Sequence, residues 1–436
     1  GFGKNAETIT TVRRSNIGFL PYTSLSENLF LRGAAATVTL SKNIFVHGFI
    51  SRALRDGNLT TLADDGVQTA TSLSNAGLHR TPAELEDRKR IEEVDAGGVL
   101  QYKTQMLDAG IIFHQLNFRP GIVRTETPYN QFAFSGNENQ NAGAYLNFSW
   151  ANFTFFSEAA QTISHGRAFT AGILGNLSKS LEVSLLYRNF DREFYSFYSN
   201  ALSENTAAQD ERGFYWGWKY KFNKKYSASG YFDVFSFPWL RYRGYAPSDG
   251  NEWLLRFNYA PSKTVVLFLQ ARSESKIRNL PGEFNLYHTA IGEKRNFWIN
   301  CDYAAPPWLT FKTRVQFSDY TLGDNTTRGF AVMQDVNFSL GRVTLSTRYA
   351  LFDTDDYDNR IYSYERNMWL AFSFPAYYGV GTRSYVMIQY KLSRQTDVWL
   401  KWSQTRYTDR NEIGTGTETI PGNTGNDVKF QARIRF

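Results

Sequence analysis

Apolar and polar positions alternate with period two through most of the chain. The final eleven residues, NDVKFQARIRF, place Val428, Phe430, Ala432, Ile434 and Phe436 on one face of a strand and Lys429, Gln431, Arg433 and Arg435 on the other. Phe214, Trp216, Trp218, Tyr220 and Phe222 alternate with Tyr215, Gly217, Lys219 and Lys221. Leu181, Val183, Leu185 and Tyr187 stand against Glu182, Ser184, Leu186 and Arg188. Phe311, Thr313, Val315 and Phe317 stand against Lys312, Arg314, Gln316 and Ser318, and Val343, Leu345, Tyr349 and Leu351 against Thr344, Ser346, Arg348 and Ala350. This period marks strands with two unlike faces, here one suited to lipid and one to water. A terminal strand in a soluble sheet is an edge that invites aggregation, and closure into a barrel removes that edge. No helical period competes, and no apolar run approaches the ~20 residues of a membrane helix.

The connections alternate as well. Short turns at 41–43, 151–152, 223–225, 261–263, 306–308, 341–342 and 393–395 follow every second strand. Longer polar stretches lie between them at 56–94, 119–140, 191–211, 237–250, 276–293, 319–327, 354–363 and 408–425. Short turns on one side and long loops on the other mark an outer-membrane barrel; a soluble sandwich has no such asymmetry. The expected fold is all-β, a transmembrane antiparallel outer-membrane β-barrel of about 19–20 strands. The barrel is expected over 29–436, after a loop or plug-like segment at 1–28. With the last strand descending to the periplasm, the alternation walks back to a first strand at 29–41 that also descends. This requires 354–381 to be one outside excursion, despite the strand-like NMWLAFSF within it. An odd count beginning outside departs from the even count of bacterial single-chain barrels. At least one rising strand is therefore expected before Gly1, unless 1–28 supplies it, and more strands in the intact protein.

Composition agrees with this reading. The 436 residues are 42% hydrophobic and 16% aromatic, with a mean hydropathy of −0.43. Many aromatics in a polar chain suit a barrel with one lipid-facing surface and aromatic girdles at both interfaces. The net charge of +7 is mild, with both signs mixed along the chain, and implies no nucleic-acid partner. Cys301 is the single cysteine, so there is no internal disulfide and no cysteine metal cluster. It alternates with Ile299 and Tyr303, on the lipid side. The opening GFGKNAETITTVRRSN is no signal peptide, so the chain reads as mature or truncated.

Two stretches, GFGKNAETI…RRSNIGFLPYTSLSENLFLRGAAATVTL and NRIYSYERNMWLAFSFPAYYGVGTRSYVMIQYKL, resemble a large family of outer-membrane proteins from Bacteroidetes. Its members are usually named for helix-hairpin-helix repeats that precede a barrel. The resemblance extends over nearly the whole chain and implies the barrel portion of such a protein. In that family the GFGK block follows earlier barrel strands, which agrees with the strand parity. This chain has no helix-hairpin-helix segment, so no DNA-binding role is implied, and the resemblance supplies no transported substrate.

Several residues have a functional reading beside a plainer one. Arg13 and Arg14 in 1–28 suit a luminal plug that biases passage toward anions; the plainer reading is an outside loop. The inward face carries Arg188, Lys219, Lys221, Arg272, Lys312, Arg314, Arg348 and Lys401, against fewer acids such as Glu182 and Glu274. A basic lumen attracts anionic solutes, or else its charges pair across strands and merely hydrate the interior. Asp353, Asp355, Asp356 and Asp358 form a weak calcium candidate, without the glycine and distal glutamate of an EF-hand; a solvated acidic loop is the plainer reading. Thr81, Pro82 and Glu84 read as a helix start. Trp150, Trp216, Trp218, Trp298, Trp308, Trp369, Trp399 and Trp402 read as interfacial girdles. Phe436 reads as the assembly signal of the last strand.

His47, His79, His114, His165 and His288 are scattered without ligand spacing, and there is no nucleophile motif, so no enzyme and no cofactor is expected. The expected location is the outer membrane of a Gram-negative bacterium, with lipid and the barrel-assembly machinery as partners. Other envelope proteins, or the missing N-terminal part of the chain itself, are further candidates. Two functions fit: a pore or transport-related envelope component, or a structural or assembly subunit of an outer-membrane complex with a blocked lumen.

Overall fold

The computed structural model describes residues 3–13, 19–22, 29–61, 66, 68–280, 288–304 and 306–435; Arg14 and Phe436 lie outside them. Where aromatic and branched residues alternate with polar ones, the backbone extends and each strand pairs antiparallel with the next. The first strands are β1 (Gly33–Ser41), β2 (Ile44–Arg55), β3 (Ile91–Lys103), β4 (Leu107–Ile122), β5 (Gly136–Trp150) and β6 (Phe153–Thr162). Then come β7 (Arg167–Asn176), β8 (Leu181–Phe190), β9 (Glu211–Lys221), β10 (Tyr226–Phe237), β11 (Ser248–Tyr259), β12 (Val265–Asn279) and β13 (Thr289–Ala304). The last are β14 (Leu309–Leu322), β15 (Asn325–Leu340), β16 (Val343–Thr354), β17 (Gly379–Lys391), β18 (Thr396–Tyr407) and β19 (Thr424–Ile434). These nineteen strands form one sheet. The 355–378 stretch is a single connection between β16 and β17, as the parity requires.

An odd number of alternating strands makes β1 and β19 run the same way. Among the described residues β1 pairs with β2 alone and β19 with β18 alone. All nine residues of β1 are exposed. The long loops come closer across this seam than the strands do: Arg80, on the loop after β2, ion-pairs with Glu418, on the loop before β19. Just after Arg80 comes the short helix Pro82–Glu86, capped by Thr81 and Glu84 in a reciprocal capping box.

The two faces differ in chemistry. Phe214, Trp216, Phe232, Leu255, Leu269, Phe297, Ile299 and Phe430 point outward and are exposed, forming the lipid-facing belt. In-phase neighbours such as Ser184, Tyr215, Asp233 and Glu252 are buried on the inner side. Tight turns fix the register: Gly341 (φ +58°) and Arg342 join β15 to β16, a left-handed position that favours glycine. The 319–327 stretch, expected as a long loop, is instead paired. Asp319 faces Arg328 and Thr321 faces Thr326, up to a two-residue turn at Gly323 (φ +61°) and Asp324. Its polar residues extend a hairpin beyond the apolar belt, which composition alone does not distinguish from a loop.

Candidate functional site

The interior is furnished by the chain's own inserts. Residues 3–13 lie against the inner wall of β8–β11. Thr8 Oγ1 donates to the Trp218 carbonyl at 2.8 Å, while the Thr8 carbonyl accepts from Ser184 Oγ at 2.8 Å and Tyr215 OH at 2.9 Å. Val12 packs among Leu186, Leu202, Tyr215, Tyr231 and Leu254. Lys4 Nζ meets three carboxylates, Asp233 and Glu204 at 2.6 Å each and Glu252 at 3.1 Å. Burial opposes its charge, but Glu252, Glu204 and Asp233 outweigh burial and hold the ammonium above its ordinary value.

Around Lys4 runs an ion ladder. Arg188 Nε reaches Glu211 at 2.6 Å and its Nη1 reaches Asp233 at 2.8 Å, with all three side chains fully buried. Arg272 pairs with Glu252 at 2.8 Å and Glu274 at 3.3 Å. Lys276 pairs with Glu274 at 2.6 Å and with Glu204. Buried charges persist only when they are paired and hydrogen-bonded in this way. Glu204, Glu252 and Glu274 bring carboxylate oxygens within 4.8 Å of one another, a spacing a metal ion can use. Here Lys4, Lys276 and Arg272 supply the positive charge instead. Glu204, on the loop after β8, is destabilised by burial yet held well below its usual range by Lys276 and Lys4.

A second insert descends on the opposite side. Ile361 and Tyr362 pair with Tyr377 and Ala376, and Glu365 bridges to Ser373, so 359–378 forms a hairpin folded into the lumen. Its wall face is polar and buried. Ser363 accepts from Arg348 Nη1 at 2.9 Å, and Glu365 accepts from Arg383 at 2.7 and 3.0 Å. Lys401 Nζ stands 3.4 Å from Glu365 and donates to the Arg366 carbonyl at 2.8 Å. The tip reaches β19, where Gln431 Nε2 donates to the Trp369 carbonyl at 3.2 Å. The lumen face is aromatic: Tyr362, Tyr364, Phe372 and Phe374 are exposed, Phe372 to 75%. Their rings form a row with centroids 5.7–5.9 Å apart, stacked at Tyr362–Phe374 and Phe372–Phe374 and tilted at Tyr364–Phe372. Burial pushes the Glu365 carboxyl up, but the Arg383 bond and the Lys401 charge leave it below its ordinary value.

All eight inward cations expected from the sequence are on the inner wall, but they do not form a basic surface. Arg188, Arg272, Arg348 and Lys401 sit in the pairs above or beside Asp335, which Arg348 Nη2 meets at 2.8 Å. Lys221 pairs with Glu182 at 3.0 Å, Lys312 with Asp302 at 2.8 Å, and Lys219 lies 3.9 Å from Glu7. Among the described residues Arg314 has no carboxylate within ion-pair distance. The expectation of few inward acids fails because Glu211, Asp233, Glu252 and Asp335 are all in the inward phase of their strands. That phase was readable, since Asp233 alternates with the outward Phe232 and Val234. The same rule moves Trp298 and Trp399 from the girdle to the inner face, in phase with Asn300 and Lys401.

The calcium candidate is not assembled. Asp355 accepts from the Arg328 amide at 2.8 Å, Asp356 from the Asn359 amide at 2.7 Å, and Asp358 from Arg243 at 2.7 and 2.8 Å. Asp353 lies on the face of β16 opposite buried Phe352 and Thr354. Arg13 borders a cavity of about 570 Å³ at the short-turn end, with His47, Gln101, Lys103, Asp108 and Asn147.

No protein-family model matches the chain, and no curated protein matches it. Solved structures do resemble it. The siderophore receptor PirA from Acinetobacter baumannii is 8% identical over 92% of this chain and 70% of that one, with a TM-score of 0.50. A mutant of the ferric enterobactin receptor PfeA from Pseudomonas aeruginosa is 10% identical over 94% of this chain and 71% of that one, at 0.49. OmpT of Vibrio cholerae is 8% identical over 77% of this chain and 99% of that one, at 0.39. Such identities speak to fold alone, and the fold is that of an outer-membrane β-barrel.

Proposed function

We propose that this chain is a transport-related component of a Gram-negative outer membrane, whose lumen is closed at rest by its own inserts. The observation that carries the reading is the double anchoring of the interior. Lys4 ties one insert to Asp233, and Glu365 ties the other to Arg383 and Lys401. PirA, which shares the fold, is named a siderophore receptor, and a transport relation is what we carry over from that likeness, without a solute. We read the chain as the barrel portion of the Bacteroidetes family whose two blocks it resembles. We assign it no catalytic role; its partners are lipid and, during biogenesis, the assembly machinery.

Planar-bilayer recording tests the reading. The purified barrel should be nearly silent, and replacing 359–378 with a short Gly-Ser turn should produce a steady current. A large steady current from the unaltered protein would overturn it. The competing reading, a blocked subunit of an envelope complex, draws on the unpaired edges of β1 and β19, since exposed edges are docking sites. Cross-linking from cysteines placed on β1 in native membranes distinguishes the two: a defined protein adduct favours the subunit, and labelling by lipid probes alone favours the transporter.

A further inference from the structure

Between the ion ladder of β8–β12 and the Arg348–Asp335 pair lies a stretch of inner wall with a different character. Arg256 on β11 and Arg314 on β14 have no carboxylate partner among the described residues. Arg256 Nε donates to Asn258 Oδ1 at 2.9 Å, and its guanidinium lies 3.6 Å from the centroid of the Phe268 ring. Arg314 Nε donates to Asn300 Oδ1 at 3.3 Å, and its guanidinium lies 5.7 Å from the Trp298 ring. Phe268 is on β12 and Trp298 on β13, so the two guanidinium groups lean toward each other over adjacent strands. The nearby acids are engaged elsewhere, Asp302 by Lys312 at 2.8 Å and Asp335 by Arg348 at 2.8 Å.

Beneath them runs a row set by the register. Arg256 faces Gln270, Gln270 faces Trp298, and Trp298 faces Gln316. Gln270 is 4% exposed and Gln316 2%. The Trp298 indole N–H and the Oε1 atoms of both glutamines are buried without a hydrogen-bond partner, a state that native interiors avoid. The wall thus offers free cationic donors together with free acceptors.

We infer that this patch binds a hydroxylated organic anion, of the sugar-phosphate or sugar-acid class. An oxyanion fits the two guanidinium groups and the indole N–H. It leaves Gln270 or Gln316 unsatisfied, because sulfate brings no donor and hydrogenphosphate brings a single hydroxyl to two buried acceptors. Hydroxyl groups on the same molecule supply those donors. The inference rests on the transport reading for its biological sense, not for its chemistry.

The test is binding of glucose 6-phosphate to the folded barrel in detergent by isothermal titration, with glucose and inorganic phosphate as comparators. Saturable binding of glucose 6-phosphate, with glucose and phosphate each at least about tenfold weaker, is expected; losing one charge-assisted contact corresponds to such a factor. Arg314→Gln and Trp298→Phe should each weaken binding while leaving the heat-modifiable gel shift of the folded barrel unchanged. Phosphate binding as tightly as glucose 6-phosphate, or wild-type affinity in Arg314→Gln, would overturn the inference. Binding without any conductance from insert-deleted barrels would overturn the transport reading alone; conductance without binding would overturn this inference alone.

Discussion

Lys4 Nζ stands 2.6 Å from Asp233 Oδ2, and Asp233 also accepts from Arg188. One carboxylate therefore joins the N-terminal segment to the barrel wall. The ladder contains five carboxylates and, with Lys4, four cations. Lys4 is the one cation of the ladder that belongs to no strand, so the wall's charge balance depends on the insert being in place.

Lys4→Met keeps the aliphatic stem and removes the charge. Breaking one side of a buried pair costs about 3–5 kcal/mol, so residues 3–13 should undock. Hydrogen exchange in that segment should accelerate sharply. Protection equal to the parent would mean that Thr8 and Val12 hold the segment unaided.

Acid should release both inserts. Glu204 and Glu365 have folded values below the ordinary 4.5. Their stabilisation is therefore present above 4.5 and lost as pH falls through the lowered folded values. Bilayer current should stay flat near neutrality and rise as pH drops below 4.5. Asp210 has the opposite sign: burial raises it from 3.8 to about 6. Its contribution is present below 3.8 and lost as pH rises through about 6, so the loop 191–210 should loosen over that window. Limited proteolysis of that loop should lose its pH dependence in Asp210→Asn.

Phe297 faces outward near mid-strand, whereas Asn147 borders the luminal cavity. Phe297→Arg should cost about 2–4 kcal/mol or block insertion, as cations do at mid-depth on the lipid face. Asn147→Arg should insert normally. Urea unfolding from vesicles reads both, and equal stability of the two would reverse the assignment of faces.

Asp335→Ala leaves the Arg348 guanidinium, 9% exposed, without its partner. The expected loss is again about 3–5 kcal/mol. Adding Arg348→Met should recover most of it, because an apolar pair of similar volume carries no desolvation penalty. A double variant as unstable as the single one would show that Ser363 is the more important partner.

Much of this was legible in the sequence. Period two separated Phe214 and Trp216 from Tyr215, and strand parity kept NMWLAFSF out of the wall. The Thr81–Glu84 cap was readable as well. The inserts were not, because what directs them inward is a set of long-range pairs. Glu365 meets Arg383 and Lys401, and Lys4 meets Asp233, across 229 residues of chain. No local pattern records those meetings. The paired state of the inward cations was hidden for the same reason, although the phase of Asp233 and Asp335 already placed them on the same face.

The aromatic row of Tyr362, Tyr364, Phe372 and Phe374 has a consequence for water itself. A film of water over bare rings has few hydrogen bonds to hold it and withdraws readily, and a dry constriction stops small ions without any repelling charge. A flat organic solute pays no such toll, because its own surface replaces the water against the rings. If the bore conducts, wetting rather than charge is expected to set selectivity along that side.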